Sequence, residues 1–524
     1  MAPSSTPVVR TLSDLLEAQA AVQPDAEAIT DGRTRLDWAT YAEKSARLAR
    51  TLADTGLRPG DRVAIRLPKS VESFVGVHAV LRAGGVVVPI DQFAPADYAR
   101  GVIADADARL LLTSADASTV DALTDGTSVA GVIDPIGDGD SEGRVIGRPE
   151  AFSSPPHEGR PPQPTDAAYI IFTSGSTGRP KGIVHTHASA LAYARRAVDT
   201  YGLDETDRLA NIAPLHFDQS TFELYAGPLA GAAVLVVPDG ALRFPASTSK
   251  LIAEERVTIW YSVPFAARQL AERGALDRHD LSALRWVLFG GESFPAPALA
   301  TLMRLLPGVR CSNVYGPAET NQCTFHHLDE PPDGSETIPI GTAWAGTDLA
   351  VVDGGEVVDG AGTGELWISS PTMMREYWRQ PEQTATALVQ RDDLGSATRW
   401  YRTGDIVRRR PDSLLEFVGR TDHQVKVRGH RVELEAVELA IAARPGVEAC
   451  SVMVDGDTLA ALVVPADLDR AALLSGIRDT LPAYAVPHRV VGVDSLPRTG
   501  TGKVDRSASA SLLPERTGPD RTSG

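Results

Sequence analysis

Disulfide chemistry has almost nothing to work with in this sequence. Its 524 residues include three cysteines, Cys311, Cys323 and Cys450, far apart and without a C-x-x-C pair. That excludes a disulfide framework and a cysteine-built zinc site, and it points to a reducing, cytoplasmic compartment. Long apolar runs are missing as well. The stretch from Val77 to Ile90 is broken by Arg82 and two glycines, so nothing reaches the run of about 18 apolar residues that a membrane span requires. From Met1 to Gly32 the chain is polar and Ala-rich, without the apolar segment of a secretory signal. Positive charge is short too. Against 51 Lys+Arg stand 68 Asp+Glu, a formal charge of -17, and no basic block supplies the surface that a nucleic-acid binder needs to displace counterions. Lysine is scarcest of all, with six: Lys44, Lys69, Lys181, Lys250, Lys426 and Lys503. In so arginine-biased a chain, a lysine marks either a chance surface site or a place that needs a compact ammonium on a flexible stem.

What is present is an ordinary globular composition, 43% hydrophobic and 23% charged, which excludes a disordered chain, a collagen and a coiled-coil rod. At roughly 150 residues per domain the length suggests three or four units, or two unequal ones. From Arg62 onward, short β-branched runs alternate with amphipathic stretches of helical length. Strands are expected at Val63–Leu67, Val86–Pro89, Leu110–Thr113, Val129–Ile133, Tyr169–Thr173, Ala233–Val237, Thr258–Tyr261 and Trp286–Phe289. Helices are expected at Ser70–Ala83, Ala188–Thr200, Thr248–Glu255 and Ala296–Leu306. This alternation predicts an α/β protein with a large N-terminal domain of mixed and parallel sheets flanked by helices. The Gly-, Pro- and Ser-rich stretch from Gly137 to Thr165 reads as a loop outside the core. Beyond Arg410–Asp422 a small α+β domain is expected, with strands at Val425–Arg428, Cys450–Val454 and Leu459–Val464, helices at Glu433–Arg444 and Ala471–Thr480, and a closing loop. The expected boundaries are 1–419 for the core, 420–510 for the small domain and 511–524 for a disordered tail, with fraying from Asp505 on. No internal repeat is present.

Thr173-Ser-Gly-Ser-Thr-Gly-Arg-Pro-Lys-Gly182 directly follows an expected strand. Small residues let backbone N–H groups turn inward, hydroxyls add donors, and Lys181 adds a cation, which together make a phosphate cradle. It is not a Walker A loop, because no Ser or Thr follows the lysine and the glycine spacing differs. A flexible connector would need neither the two Ser/Thr–Gly units nor the Pro-Lys-Gly that follows them.

The run Tyr169–Gly182 resembles the signature loop of the adenylate-forming superfamily, which includes acyl-CoA synthetases, luciferases and the adenylation domains of nonribosomal peptide synthetases. Further matches follow in the family's order over nearly the whole chain. They are Phe217-Asp-Gln-Ser220, Asn313-Val-Tyr-Gly-Pro-Ala-Glu-Thr320, Gly364-Glu-Leu-Trp367, Tyr401-Arg-Thr-Gly-Asp405, Gly419-Arg-Thr-Asp-His-Gln-Val-Lys-Val-Arg-Gly429, Leu481-Pro-Ala-Tyr484 and Gly500-Thr-Gly-Lys-Val-Asp-Arg506. The resemblance implies attack of a carboxylate on the α-phosphorus of ATP with Mg²⁺, where positioning and cationic stabilisation do most of the catalysis. It assigns ATP or AMP binding to Thr173, Ser174, Gly175, Ser176, Thr177, Gly178, Gly291, Asn313, Tyr315, Asp405 and Arg420. Tyr315 would stack on adenine, Asn313 would contact its edge, and Asp405 would accept the ribose hydroxyls. Catalytic roles fall to Lys181, Glu319, Thr320 and Lys503. Glu319 would help hold Mg²⁺, Thr320 would donate to the α-phosphate, and Lys503 would bridge the substrate carboxylate and that phosphate. Two positions depart from the family's usual residues: Thr501 stands where Asn is common, and Ala318 where Thr is. Without the family pattern, Tyr315-Gly-Pro reads as a tight turn carrying a packed aromatic, and Asp405 as a turn residue. Arg420 to Asp422 would form a hinge at Asp422, making the small domain mobile. Lys426 and Gly429 would face a thiol in the second half-reaction, although Val425–Arg428 reads equally as an ordinary alternating strand with outward charges.

Asp218 separates the branches of the family, since by resemblance it binds the ammonium of an amino-acid substrate. An ammonium leaving water needs such a partner. Ser220-x-x-Glu223 reads as a capping box opening a helix over Thr221–Ala230, and on that reading Asp218 is a turn residue beside it. Aligned by motif, the pocket comprises Phe217, Asp218, Gln219, Phe222, Tyr261, Leu288, Gly290, Val314, Gln322 and Cys323. It holds no second charge, so a mostly apolar or neutral side chain is expected, on an α- or β-amino acid. The expected protein is a stand-alone ligase of natural-product or antibiotic biosynthesis that passes its aminoacyl adenylate to a phosphopantetheinylated carrier protein in trans. The alternatives are an acyl- or aryl-CoA synthetase and a catalytically silent, partner-binding relative.

Overall fold

The structure is a computed structural model describing residues 8–140, 144–173, 180–334, 337–394, 399–422, 424–498, 504 and 506–514, without the side chain of Ser507. These fall into two compact units. The larger comprises residues 8–92, 99–173 and 181–422; the smaller comprises residues 93–98, 180 and those from 424 onward.

Alternation along the strands builds the large unit. Its nine-stranded sheet holds four parallel neighbours, Arg208–Asn211, Ile259–Ser262, Trp286–Gly290 and Arg310–Tyr315, in that order. Successive side chains on a strand point to opposite faces. Leu209, Ile259, Tyr261, Trp286, Leu288 and Val314 join one core cluster, while Ala210, Trp260, Val287, Phe289 and Cys311 join another on the opposite face. The helices Pro245–Glu254, Pro264–Arg273 and Ala296–Leu305 contribute to the second cluster. The first is shared with an eight-stranded sheet and the helices Trp38–Asp54, Val71–Arg82 and His187–Tyr201. Burial on both faces explains the unbroken apolar run of Trp286–Gly290.

Caps set where the helices begin. The Ser70 hydroxyl accepts the Ser73 N–H at 3.2 Å to open Val71–Arg82, and Thr186 does the same for Ser189 at 3.1 Å ahead of His187–Tyr201. Gly202, with φ of +57°, closes that second helix.

The smaller unit contains a hairpin, Gln424–Val427 with His430–Glu433, and a three-stranded sheet of Ala449–Asp455, Thr458–Val464 and Arg489–Gly492. The helices Leu434–Ala442 and Arg470–Arg478 share a core with both sheets. An α/β core with a small α+β unit is therefore the observed class.

Three expectations need correction. The segment from Gly137 to Thr165 is not wholly outside the core. It forms a short strand, Val145–Ile146, and a helical turn, Arg148–Ala151, and Ala151 is fully buried while Ile146 and Phe152 pack against the main cluster. The chain is not frayed directly after Asp505: Arg506–Ala510 is helical, and Arg506 pairs with Glu438 at 2.7 Å. Finally, Ser220 and Glu223 make no capping box. Ser220 Oγ donates to the Phe217 carbonyl at 2.7 Å. Glu223 is buried in a π-turn, Phe222–Ala226, where its carboxylate accepts from Asn211 Nδ2 at 3.0 Å. The Asn211 amide satisfies this buried acceptor in place of the Ser220 N–H, which donates instead to the Phe217 carbonyl at 3.1 Å.

Candidate active site

The carboxyl ends of the four parallel strands converge on one edge of the sheet, and they carry Asn211, Tyr261, Gly290 and Tyr315. Register places Tyr261 beside Leu288, and Gly290 beside Val314. Gly290 is needed for close approach, because a Cβ there would stand 2.3 Å from the Val314 carbonyl oxygen and 3.5 Å from the Tyr261 hydroxyl. Gly291 follows at φ +99°, a conformation that favours glycine.

The Tyr315 end is charged and tightly paired. Asp405, 5% exposed, accepts from the Tyr315 hydroxyl on one oxygen and pairs with Arg420 on the other. Arg420 also reaches Asp422, at 2.6 and 2.8 Å. Thr403 and Glu365 fix the turn, accepting the N–H groups of Asp405 and Gly404 at 2.9 and 3.1 Å. Burial, and then the neighbouring Asp405 carboxylate, push the Tyr315 phenol well above its ordinary range. Asn313 donates to the Pro339 carbonyl at 2.7 Å. Gly316 takes a close approach from the Asn321 carbonyl oxygen, which would stand 1.7 Å from an added Cβ; the turn comes just after Tyr315-Gly-Pro, where the Thr320 N–H donates to the Pro317 carbonyl at 2.8 Å.

Beside it, Glu319 and Thr320 are fully buried. Glu319 Oε1 accepts from the Tyr377 hydroxyl at 2.7 Å and lies 3.5 Å from Lys181 Nζ, while that ammonium sits 5.1 Å from the Tyr377 ring centre. The Met374 N–H and the Thr372 hydroxyl hold the Glu319 and Thr320 carbonyls, each at 2.6 Å. His185 donates its Nε2–H to the Ala318 carbonyl at 2.8 Å and stacks on Tyr169 with ring centres 5.0 Å apart. Burial takes its pKa down to about 4, so it is neutral. Thr173 and Lys181 are register partners on adjacent antiparallel strands. The Thr173 hydroxyl is buried without a hydrogen-bond partner. Ser174, Gly175, Ser176, Thr177 and Gly178 lie outside the described residues, as does Lys503.

The Tyr261 end is mostly neutral. Phe222 packs edge-on against Tyr261, with ring centres 5.6 Å apart, and Gln322 Nε2 donates to the Tyr261 hydroxyl at 2.6 Å. Asp218, half-buried, accepts from the Gln219 N–H at 3.0 Å and acts on the Tyr261 phenol as a nearby negative charge. Phe217 is also half-buried. The thiol of Cys323 donates to the Tyr315 carbonyl at 3.4 Å, and burial pushes its pKa up to about 12. In the smaller unit, Lys426 is exposed on its hairpin. The turn beyond it, Arg428-Gly429, has positive φ at both residues, the form that two-residue hairpins favour.

Sequence reasoning missed Tyr377, Thr372, His185 and Asn211, none of which stands in a motif. It counted Lys69 among the six lysines without giving it a place. Lys69 is buried, donating to the Asn211 and Ile212 carbonyls at 2.9 and 2.7 Å. Burial lowers its pKa to about 8, against which Asp239 and Glu223 act. Glu223 is raised to about 8, again by burial. Lys69 thus fixes the strand end from which the chain runs to Phe217 and Asp218.

Fold and site together describe an α/β protein with a polar site at the carboxyl ends of parallel strands, where such sheets take up small ligands. Residues 16–378 match the family model described as AMP-binding enzyme, and residues 436–503 match that of the AMP-binding enzyme C-terminal domain. The chain belongs to this AMP-binding enzyme family. It is 33% identical to an L-proline--[L-prolyl-carrier protein] ligase of Pseudomonas fluorescens, over 96% of the chain and 99% of the relative. To a ligase of the same name from Streptomyces coelicolor it is 35% identical, over 89% of the chain and 90% of the relative. Among solved structures, the amide bond synthetase McbA from Marinactinospora thermotolerans superposes with a TM-score of 0.84 at 26% identity, covering 96% of this chain and 99% of that one. Among the described residues no helix is long and apolar enough to cross a membrane.

Proposed function

We propose that this enzyme activates an amino acid with ATP, releasing pyrophosphate, and passes the aminoacyl group from its adenylate to the phosphopantetheine thiol of a carrier protein. The observation that carries this reading is a site with two chemically distinct ends. A paired set of charges stands at the Tyr315 end, and a mostly neutral pocket holding the one carboxylate Asp218 stands at the Tyr261 end. Two relatives, 33% and 35% identical, are named as L-proline--[L-prolyl-carrier protein] ligases.

In the first step a substrate carboxylate oxygen attacks the α-phosphorus, and pyrophosphate leaves. Asp405 would accept the ribose hydroxyls, with Arg420 pairing with that carboxylate and Tyr315 offering its ring to adenine. Asn313 would line the base edge, and Gly291 would let the backbone pass close to the nucleotide. The unpartnered Thr173 hydroxyl is available to a phosphate oxygen. Lys181, Thr320 and Lys503 would supply cation and donors against the charge that builds on the phosphoryl group. Mg²⁺ would take an oxygen of Glu319, which supplies the hard carboxylate donor that this ion prefers. When bound, it neutralises charge between two anions that must meet. Asp218 would pair with the substrate ammonium. The small unit, with its hinge at Asp422 and its hairpin at Lys426 and Gly429, would serve the thioester step. A reducing, cytoplasmic setting accords with the three free thiols, Cys311, Cys323 and Cys450.

Pyrophosphate exchange across α-amino, β-amino and simple carboxylic acids tests this reading. Exchange with amino acids, followed by loading of a phosphopantetheinylated carrier, is the expected result. Exchange with fatty or aryl acids alone would make the protein an acyl-CoA synthetase.

A further inference from the structure

The pocket around Tyr261 holds hydrogen-bonding capacity that the protein itself does not use. Gln322 is 6% exposed and Gln219 8%. Gln322 gives its Nε2 to the Tyr261 hydroxyl, and its Oε1 is buried without a partner. Turning that amide over would only exchange the atoms: one polar atom of Gln322 stays unpaired either way. Gln219 reaches toward the same hydroxyl, yet its Nε2 completes no hydrogen bond. Buried polar groups are nearly always satisfied, and each exception asks for a reason. Two glutamine side chains left open around a single tyrosine hydroxyl, which would stand 3.5 Å from a Cβ added at Gly290, form a donor–acceptor set awaiting a ligand.

We infer that the substrate's side chain carries a neutral hydrogen-bonding group, a hydroxyl or an amide, read by Gln322, Gln219 and Tyr261. This rests on the proposal that the pocket binds an amino acid, and it narrows that substrate's class. A purely apolar side chain would displace water from both amides and return nothing, which sites of this kind penalise heavily. An anionic side chain would find no cation among the pocket residues. A cationic one would find no free carboxylate: Asp218 is committed to the ammonium, and Glu223 is turned to Asn211 beside Lys69.

The test is pyrophosphate exchange by the full chain with near-isosteric pairs: threonine and valine, serine and 2-aminobutyrate, asparagine and leucine, 4-hydroxyproline and proline. In the best-used pair the hydrogen-bonding member is expected to lead in kcat/KM by about 100-fold or more. Gln322→Leu and Gln219→Leu should each cut that ratio by about tenfold or more, chiefly through KM of the amino acid, with ATP binding and melting temperature showing that the variants are folded. Preference for the apolar member of every pair overturns the inference and leaves amino-acid activation standing. A ratio that folded variants do not change overturns the assignment to these glutamines. No exchange with any amino acid removes the reading beneath it as well.

Discussion

The two ends of the site handle buried polarity in opposite ways. At the Tyr315 end the charges are paired within the protein: Asp405 with Arg420 and the Tyr315 hydroxyl, Glu319 with Tyr377 and Lys181. At the Tyr261 end neutral amides are left open. The difference follows from magnitude. An ion stranded in the interior costs several kcal/mol, so charges destined for a nucleotide must be neutralised in advance. A neutral amide without a partner costs about 1–3 kcal/mol, a penalty a large unit can carry until a ligand arrives. Pairing also gives the charged end a fixed geometry, which suits a constant ligand; vacancies suit one that has to be selected.

The severest way to break this contrast is Asp405→Ala. It deletes the acceptor shared by Tyr315 and Arg420. Two hydrogen bonds involving a charged group, at about 1.5–3 kcal/mol each, correspond to a loss of roughly 10²–10⁴ in pyrophosphate exchange. A loss smaller than about tenfold would mean that the nucleotide does not use this carboxylate. Glu319→Gln comes next, with an expected fall in turnover of about 100-fold. The melting temperature should fall as well, because the buried Lys181 ammonium loses its carboxylate partner, while the Tyr377 hydroxyl can still donate to an amide oxygen. Rates measured across Mg²⁺ concentrations give the check: unchanged Mg²⁺ dependence would remove Glu319 from the metal.

How much of this could be read beforehand depends on which force shaped each segment. The parallel strands were legible because burial on both faces forces unbroken β-branched runs, as at Val86–Pro89. The six-stranded antiparallel sheet that carries Asp405 was not. Its strand Arg399–Arg409 alternates buried and exposed residues, and its arginines are absorbed by partners on neighbouring strands, such as Glu416 with Arg408 and Glu365 with Arg402. Motifs located Tyr315, Glu319 and Asp405 because short segments carry them. Tyr377 and Lys69 escaped because their work is done on residues far away in the chain, Glu319 and the Asn211 carbonyl. Glu223 was misassigned for a similar reason: local spacing suggested a cap, and tertiary burial overrode it.

Beneath the pocket lies a third treatment of charge, and pH can expose it. Glu223 has its pKa raised by burial to about 8. The folded state therefore keeps a proton that the unfolded chain releases above pH 4.5, and the stability from this group is full below that value and lost as pH rises through 8. Lys69 is lowered to about 8 from 10.5. Its contribution has the opposite sign: it is present above 10.5 and lost as pH falls through 8. Together the two predict a stability minimum near pH 8. Glu223→Gln removes the first limb, so its melting temperature relative to wild type should rise between pH 5 and pH 8, with a ceiling of about 1.4 kcal/mol per pH unit. A difference that stays flat across that window would show Glu223 ionising normally in the folded protein.

The smallest expected effects give the most direct comparison, since the same atom can be removed at each end. Tyr315→Phe and Tyr261→Phe both delete a phenolic oxygen and keep the ring. At Tyr315 the hydroxyl donates to a charged acceptor, Asp405, a bond worth about 1.5–3 kcal/mol. At Tyr261 it accepts from a neutral amide, Gln322 Nε2, worth about 0.5–1.5 kcal/mol. The Tyr315 variant should therefore melt lower than the Tyr261 variant when both are measured without ligand. With a hydrogen-bonding amino acid and ATP present, the order should tighten, because only the Tyr261 variant then loses a contact to the substrate side chain. Equal melting temperatures in the absence of ligand would mean that the two ends differ in name only.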